Sequence, residues 1–169
     1  MKPKPLQRID ELSWKEIEAV VDLLAAQLPK PCYLWGVPRN GLLVATLLSH
    51  SPKSEGKFSL RYQVRPLQNV FTLLTVLLIA SEVPLIVVDD IADSGDTLTQ
   101  LLHKLGHTPE TELSTLKTAV LFKCSTCLFQ PTYVGKEKTS DAWLRFPWER
   151  DPLDILPEEG ATPSNIVLT

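Results

Sequence analysis

Residues 84–98, PLIVVDDIADSGDTL, decide the fold of this chain. Leu85 to Val88 form an unbroken apolar run rich in β-branched residues, which is typical of a strand buried on both faces of a parallel sheet. Asp89 and Asp90 follow at the carboxyl end of this strand, the edge at which open α/β sheets bind their ligands. The stretch therefore predicts an α/β fold with acidic side chains at its ligand edge.

The turn after these carboxylates, Ser94 to Thr97, has the composition of an anion-binding turn. Gly95 has no Cβ, so the backbone can take a positive φ and approach a ligand closely, and the two hydroxyls add donors. Leucines then recur at helical spacing: Leu98, Leu101, Leu102 and Leu105. We therefore expect a helix that begins at the turn and directs its free N–H groups at a bound anion.

An acidic helix cap without any ligand is the simplest alternative, because Asp and Ser begin many helices. The three carboxylates Asp89, Asp90 and Asp93 argue against it, since they repel one another unless a cation or a polyhydroxyl ligand shares them. A phosphorylated sugar bound together with a metal ion would satisfy both the turn and the carboxylates.

The same residues carry a resemblance to a known family. Residues 87–97 resemble throughout the phosphoribosyl pyrophosphate (PRPP) signature of the type I phosphoribosyltransferases, in which apolar residues, Asp-Asp and two variable residues precede Asp-Ser/Thr-Gly-x-Thr. Residues 35–41, WGVPRNG, resemble the family's early pyrophosphate loop, and residues 141–149, DAWLRFPWE, resemble the purine-end hood of xanthine-guanine phosphoribosyltransferases. The resemblance implies one α/β domain with a central, mainly parallel sheet flanked by helices and a small C-terminal hood.

The activity that the resemblance implies is Mg²⁺-dependent transfer of the phosphoribosyl group of PRPP to a 6-oxopurine (guanine, xanthine or hypoxanthine). Asp93 would be the general base or acid, near N7 of the purine. The PRPP site would consist of Asp89, Asp90, Ser94, Gly95, Asp96, Thr97, Arg39 and Asn40. The purine site would consist of Lys123, Trp143 and Leu144, with Lys123 donating to the 6-oxo group. The metal would be held by Asp89, Asp90 and Glu149.

Several of these residues also fit a structural or solvent-exposed role without ligand contact. Asp96 stands at a variable position where several relatives carry glycine or lysine, and we expect its carboxylate to point to solvent while its N–H faces the phosphate. Arg39 offers a planar fork for pyrophosphate but could be a solvated arginine. Lys123 could simply extend from a strand end, and Glu149 could face a second metal or only the surface. Arg145 replaces a residue that varies near the purine 2-position, so the preferred 6-oxopurine stays open.

The rest of the chain predicts how the domain is organised. A length of 169 residues with 44% hydrophobic and 22% charged residues is typical of one globular domain. We assign residues 1–150 to that domain, with the hood over about 132–150, and 151–169 to an extended acidic tail. Periodicity predicts helices over 14–28 and 41–49 and strands over 32–36, 58–64 and 118–123. Residues 67–80 fit either helix or strand, and 133–138 form a polar stretch.

Partners and location follow from charge, cysteines and hydropathy. The net charge of −3 gives no electrostatic case for nucleic acid, so PRPP and a purine base are the expected partners, in a homo-oligomer. Three cysteines without an apolar leader indicate a reduced, cytoplasmic setting, and we expect Cys124 and Cys127 to be free thiols. Glu82 and Pro84 interrupt the one run of transmembrane length, 70–88, so no membrane association is expected.

Two other functions compete with the transferase. Relatives carry a mobile closing loop between residues 50 and 83, whereas this chain has Arg61 to Arg65 and then an apolar run. A chain without that loop could be a non-catalytic module that senses PRPP or a nucleotide on the same fold. An adenine or pyrimidine transferase is the third possibility, and Lys123 and the Trp143 segment disfavour it.

Overall fold

The computed structural model describes residues 8–54, 58–60, 83–105, 115–140 and 142–149, with the backbone alone at 58–60. Its strands are β1 (Ile9–Glu11), β2 (Cys32–Gly36), β3 (Phe58–Leu60), β4 (Leu85–Ala92), β5 (Leu116–Cys124), β6 (Tyr133–Lys138) and β7 (Trp143–Arg145). Its α-helices are α1 (Trp14–Gln27), α2 (Asn40–His50) and α3 (Asp96–Lys104), and a 3₁₀ turn spans Pro52–Ser54. Two compact units contain these elements, Lys15–Ser140 and the pair Met1–Trp14 with Asp141–Thr169.

Among the described residues, the larger unit is built on five strands that form one sheet in the order β3-β2-β4-β5-β6. Every neighbouring pair is parallel, and the central strand β4 pairs with β2 on one side and β5 on the other. Helix α1 contributes a buried apolar face made of Ile17, Val20, Val21, Leu24 and Ala25. The predicted α/β class, with a central parallel sheet flanked by helices, is confirmed.

The long apolar strands explain why the carboxyl edge of the sheet is well fixed. Leu85 to Val88 on β4 are 0–4% exposed, as expected for a strand covered on both faces. Strand β5 is longer than the predicted 118–123 and is buried at eight of its nine residues. The side chains at the carboxyl ends of β4 and β5 are therefore attached to well-packed strands.

Two elements differ from the sequence-based expectation. Strand β4 extends beyond the predicted apolar run Leu85 to Val88, because it continues through both Asp89 and Asp90 to Ala92. The ladder to β5 continues with it, and Asp89 lies opposite Val120. Residues 133–138, predicted as a polar stretch before the Trp-rich segment, form the edge strand β6 of the large sheet.

Other predictions fall on residues outside those described. The predicted strand over 58–64 is observed as β3 at Phe58–Leu60, and residues 61–64 are not described. The helix or strand at 67–80, most of the closing-loop region and the tail at 151–169 also lie outside the described residues. The division into a domain, a hood and a tail stays a prediction. In the described part of the chain, the helices are too short or too polar to span a bilayer.

The smaller unit joins the two ends of the chain. Strands β1 and β7 pair in parallel, with Ile9 opposite Trp143 and Glu11 opposite Arg145. The Arg145 guanidinium also forms an ion pair with the Glu11 carboxylate at 3.1 Å. An aromatic cluster stabilises this unit, since the Trp148 ring stacks on Phe146 and packs at 5.8 Å, measured between ring centroids, against Trp14.

Candidate functional site

The carboxyl ends of β2 and β4 place two loops side by side. Strands β2 and β4 are hydrogen-bonded neighbours, and the ladder extends past β2 through a bond from the Val37 N–H to the Val88 carbonyl at 2.8 Å. The peptide bond between Pro38 and Arg39 in the first loop is cis. Helix α2 then begins at Asn40, so the loop is held between a central strand and a helix.

Gly41 allows α2 to approach β4 closely. A Cβ at Gly41 would lie 2.3 Å from the Val88 carbonyl oxygen and 3.2 Å from Oδ1 of Asp89. Since a real Cβ never comes that close, only glycine permits this packing. The approach brings the Asn40 side chain to β4, where Nδ2 donates to Oδ2 of Asp90 at 2.9 Å. Residues predicted from two separate motifs are thus in direct contact.

Asp89 and Asp90 form a buried acidic pair within β4, with 9% and 7% of their surfaces exposed. Oδ1 of Asp89 accepts from the Asp90 N–H at 3.0 Å, and Oδ1 of Asp90 accepts from the Ile91 N–H at 3.0 Å. Burial, followed by the charge of Asp90, raises the pKa of Asp89 to about 8. Near neutral pH, the pair therefore holds a proton or requires a positively charged partner.

This acidic pair makes the stability of the protein depend on pH. The ordinary pKa of the Asp89 carboxyl is 3.8 and its folded value is about 8, so the folded state retains a proton that the unfolded chain has lost. The contribution of Asp89 to the free energy of unfolding is therefore present below pH 3.8 and is lost as the pH rises towards 8. We expect Asp89→Asn to reduce this decline, as measured by urea denaturation at a series of pH values.

The control for this measurement is Glu18→Gln, which removes an exposed carboxylate from α1. It should leave the pH dependence of the wild type unchanged. Parallel pH dependences for the wild type and Asp89→Asn would contradict the prediction, because they would show that Asp89 does not retain its proton in the folded state.

The turn after β4 has the predicted left-handed glycine. Gly95 has a φ of +87°, and a Cβ there would lie 2.2 Å from Cβ of Phe129. Helix α3 begins at the next residue, where the Asp96 N–H donates to Oγ of Ser94 at 3.3 Å. Ser94, Asp96 and Thr97 are all exposed. The helix N-terminus therefore opens to solvent, as an anion site requires.

Lys123 lies on the neighbouring strand, at the same edge of the sheet. It is the penultimate residue of β5, opposite Ala92 on β4 and Glu137 on β6. The residue is only 7% exposed, which is unusual for a lysine. No hydrogen bond or ion pair joins its side chain to another residue within the described ranges. Among the described residues, its ammonium group is therefore not engaged by another side chain.

The residues predicted for the hood lie on the smaller unit. Trp143 on β7 is 54% exposed, and Leu144 next to it is buried. The Glu149 carboxylate accepts a hydrogen bond from the Phe146 N–H at 3.1 Å, while the Glu149 N–H donates to the Phe146 carbonyl at 2.9 Å. This reciprocal pair closes a turn, so the carboxylate of Glu149 has a local structural role.

Among the residues that the structure describes, the acidic pair Asp89 and Asp90 is the main candidate for binding a metal. No cluster of three or more His, Cys, Asp or Glu side chains suited to a metal occurs in the part of the chain that the structure describes. Mg²⁺ does not need such a cluster, because it commonly binds one or two carboxylates and completes its shell with water and substrate phosphates. Two adjacent buried carboxylates fit that mode of binding.

Three residues near the turn at Ser94 to Thr97 were not predicted as part of the site: Cys124, Cys127 and Phe129. The sequence predicts Cys124 only as a free thiol, yet it lies near Asp93, because Lys123 is opposite Ala92 in the β4–β5 ladder. Sγ of Cys127 lies 3.2 Å from the Cβ position of Gly95, and the Phe129 side chain lies against the same glycine. The available signal was position, since Cys124 directly follows Lys123 at the edge of the sheet where ligands bind.

Comparison with known proteins supports the fold. No protein-family model and no curated protein matches the sequence. Among solved structures, the chain is similar to a purine phosphoribosyltransferase from Pyrococcus horikoshii, with a TM-score of 0.64, 23% identity and coverage of 89% of this chain and 99% of that one. It is also similar to the Helicobacter pylori xanthine-guanine-hypoxanthine phosphoribosyltransferase, with a TM-score of 0.57, 16% identity and coverage of 85% and 93%.

A third similar structure is the hypoxanthine phosphoribosyltransferase of Trypanosoma cruzi, with a TM-score of 0.52, 16% identity and coverage of 73% of this chain and 78% of that one. The similarity extends over most of each chain while the sequences have diverged widely. The chain therefore has the phosphoribosyltransferase fold, which confirms the fold expected from the sequence resemblance.

Proposed function

We propose that this chain is a Mg²⁺-dependent purine phosphoribosyltransferase that transfers the phosphoribosyl group of PRPP to a 6-oxopurine. The observation that carries the proposal is the 2.9 Å hydrogen bond between Asn40 and Asp90, because it joins the pyrophosphate-loop motif to the PRPP signature at one edge of the sheet. The similar solved structures named as purine phosphoribosyltransferases support the same class of reaction.

The reaction breaks the bond between the anomeric carbon of the ribose and an oxygen of pyrophosphate. Positive charge develops on the ribose ring and negative charge on the departing pyrophosphate, so fixed opposite charges near each end accelerate the step. Asp89 and Asp90 would contact the ribose hydroxyls and hold Mg²⁺. When bound, the ion would neutralise charge on the leaving pyrophosphate. The exposed guanidinium of Arg39 would contact the pyrophosphate as it leaves.

The remaining residues complete the proposed site. The N–H groups from Ser94 to Thr97 would hold the 5′-phosphate at the start of α3. Asp93 would accept a proton from the purine as its nitrogen attacks the ribose, and return it in the reverse reaction. Trp143 and Leu144 would contact the base. Glu149 is proposed as a second metal ligand, for which its carboxylate would have to leave the Phe146 N–H.

One assay tests this function directly. Purified protein is incubated with PRPP, Mg²⁺ and guanine, xanthine, hypoxanthine or adenine, and nucleoside monophosphate is measured with and without EDTA. We expect product with at least one 6-oxopurine and none with EDTA. Binding of PRPP without product from any base would instead favour a sensing module. The proposal also keeps a homo-oligomer and a cytoplasmic location as predictions.

Lys123 is expected to select the class of base. Its ammonium can only donate hydrogen bonds, so it matches the 6-oxo group and opposes the 6-amino group of adenine. Leaving a buried polar group unpaired costs about 1–3 kcal/mol, which corresponds to roughly tenfold or greater discrimination. We therefore expect Lys123→Ala to lower kcat/KM for the 6-oxopurines at least about tenfold and to leave any adenine activity nearly unchanged.

Lys136→Ala is the matched control, because it removes an exposed lysine from the adjacent strand β6. It should leave the ranking of the bases unchanged. Equal losses for all four bases in Lys123→Ala, or a wild type that prefers adenine, would show that Lys123 does not read the 6-position.

A further inference from the structure

The turn that carries the proposed 5′-phosphate site has an open side and a covered side. Ser94 and Asp96 are exposed, whereas Gly95 between them is buried. The loop between β5 and β6 covers it: a Cβ on Gly95 would collide with Cβ of Phe129 and lie 3.2 Å from both Cγ of Phe129 and Sγ of Cys127. The Phe129 side chain is therefore in van der Waals contact with the Gly95 backbone. The proposed reaction gives Phe129 no role.

Phe129 is itself held in place on both sides. Its side chain packs against the hydrophobic core of the larger unit. Before it, the Cys127 N–H donates to the Cys124 carbonyl at 3.0 Å, and the Cys127 thiol donates to the Phe129 carbonyl at 3.6 Å. After it, Thr132 exchanges two hydrogen bonds with Thr118 on β5, at 3.0 and 3.2 Å. The loop is thus anchored to β5 before and after Phe129.

We propose that Phe129 is a positioning residue of the PRPP site. By filling the space behind Gly95, it holds the turn in the conformation that presents the N–H groups of residues 94–97 to the 5′-phosphate. This inference rests on the proposed function. A glycine can adopt many backbone conformations, so the φ of +87° at Gly95 has to be maintained by its surroundings. A binding site keeps its geometry when packing fixes the groups that support it.

The position of Gly95 also determines where helix α3 begins. Its carbonyl accepts hydrogen bonds from the Thr99 N–H at 3.0 Å and from Oγ1 of Thr99 at 2.9 Å. These bonds join Gly95 to the first turn of the helix, so a shift of Gly95 would move the first N–H groups of α3 with it. A helix N-terminus binds an anion through these N–H groups. A misplacement on the order of 1 Å can cost an enzyme about 10²-fold in activity.

A series of variants at position 129 removes the contacting atoms one by one. Phe129→Leu keeps both Cβ and Cγ, Phe129→Ala keeps only Cβ, and Phe129→Gly removes both. By calorimetric titration with PRPP and Mg²⁺, we expect the Kd to stay within about twofold for Phe129→Leu, to rise roughly threefold for Phe129→Ala and to rise at least about tenfold for Phe129→Gly. At saturating PRPP, kcat should stay within about twofold in all three, because Phe129 acts only through the binding turn.

Two control variants separate this role from general effects on the fold. Leu128→Gly adds the same backbone freedom one residue earlier, at a side chain that is 91% exposed. Val21→Ala removes buried methyl groups from α1, so it tests whether a loss of stability alone weakens binding. Both should bind PRPP as the wild type does, in conditions under which urea denaturation shows every variant to be folded.

A measurement without PRPP tests the contact itself. Three-bond NMR couplings between the amide and α protons of Gly95 report its φ, and we expect one conformation in the wild type and in Leu128→Gly but averaging in Phe129→Gly. A wild type that binds PRPP while Phe129→Gly loses no more affinity than Leu128→Gly would overturn the positioning role alone. Unchanged Gly95 couplings in Phe129→Gly would overturn it as well. A wild type that does not bind PRPP would overturn the proposed function and, with it, this inference.

Discussion

Asp93→Asn is expected to lower kcat by about 10²- to 10⁴-fold, the range that general acid-base groups typically contribute. The substitution keeps the size of the side chain and removes its ability to accept a proton. Because the proton moves only during the chemical step, the dissociation constant for PRPP should change little. Steady-state kinetics with the best 6-oxopurine, together with calorimetric titration of PRPP, would measure the two effects separately.

Glu137→Gln is a suitable control, since it neutralises an exposed carboxylate on β6. It should retain the kcat of the wild type. Losses of similar size in turnover and in PRPP affinity for Asp93→Asn would assign Asp93 to ligand binding. An Asp93→Asn variant with full turnover would remove it from the reaction altogether.

Gly95→Ala is expected to weaken the binding of PRPP strongly. The φ of +87° is strained for any residue with a side chain, and the new Cβ would lie 2.2 Å from Cβ of Phe129. The turn must therefore move, which displaces the N–H groups at the start of α3 from the 5′-phosphate. We expect PRPP affinity to fall more than about tenfold and the free energy of unfolding to fall by about 1–3 kcal/mol, as overpacking usually costs.

Gly135→Ala is the control that separates a loss of PRPP affinity from a loss of stability. A Cβ there would lie 2.6 Å from Cγ1 of Val20 and 2.8 Å from the Leu121 carbonyl oxygen, so a loss of stability is expected at this position as well. Gly135 lies on β6 and has no role in the proposed phosphate site, so calorimetry should show unchanged PRPP affinity. Normal PRPP binding by Gly95→Ala would indicate that the 5′-phosphate lies elsewhere.

The features that the sequence predicted correctly depend on local patterns. The apolar run before Asp89 and the leucine spacing after Gly95 each determine an element with no information from the rest of the chain. The left-handed conformation of Gly95 was also predictable, because a turn between a strand and a helix commonly requires it. These patterns account for the central strand, helix α3 and the turn between them.

The features that the sequence did not predict depend on contacts between distant segments. Aspartate is unfavourable in strands, so nothing local indicates that β4 continues through Asp89 and Asp90, and the ladder to β5 decides it. The proximity of Cys124 to Asp93 likewise depends on the register of β4 and β5. Residues 133–138 were predicted as a polar stretch because an edge strand can be polar along its exposed side.

The pairing of β1 with β7 has a consequence for the order in which the protein can fold during synthesis. The ion pair between Glu11 and Arg145 joins residues 134 positions apart in the chain. A ribosome releases Ile9–Glu11 early, yet its partner strand does not exist until translation has passed Arg145. The first strand must therefore wait without a partner while the segments that form β2, β4 and β5 emerge and can assemble. Closure of this long loop makes β1–β7 pairing a late event in folding.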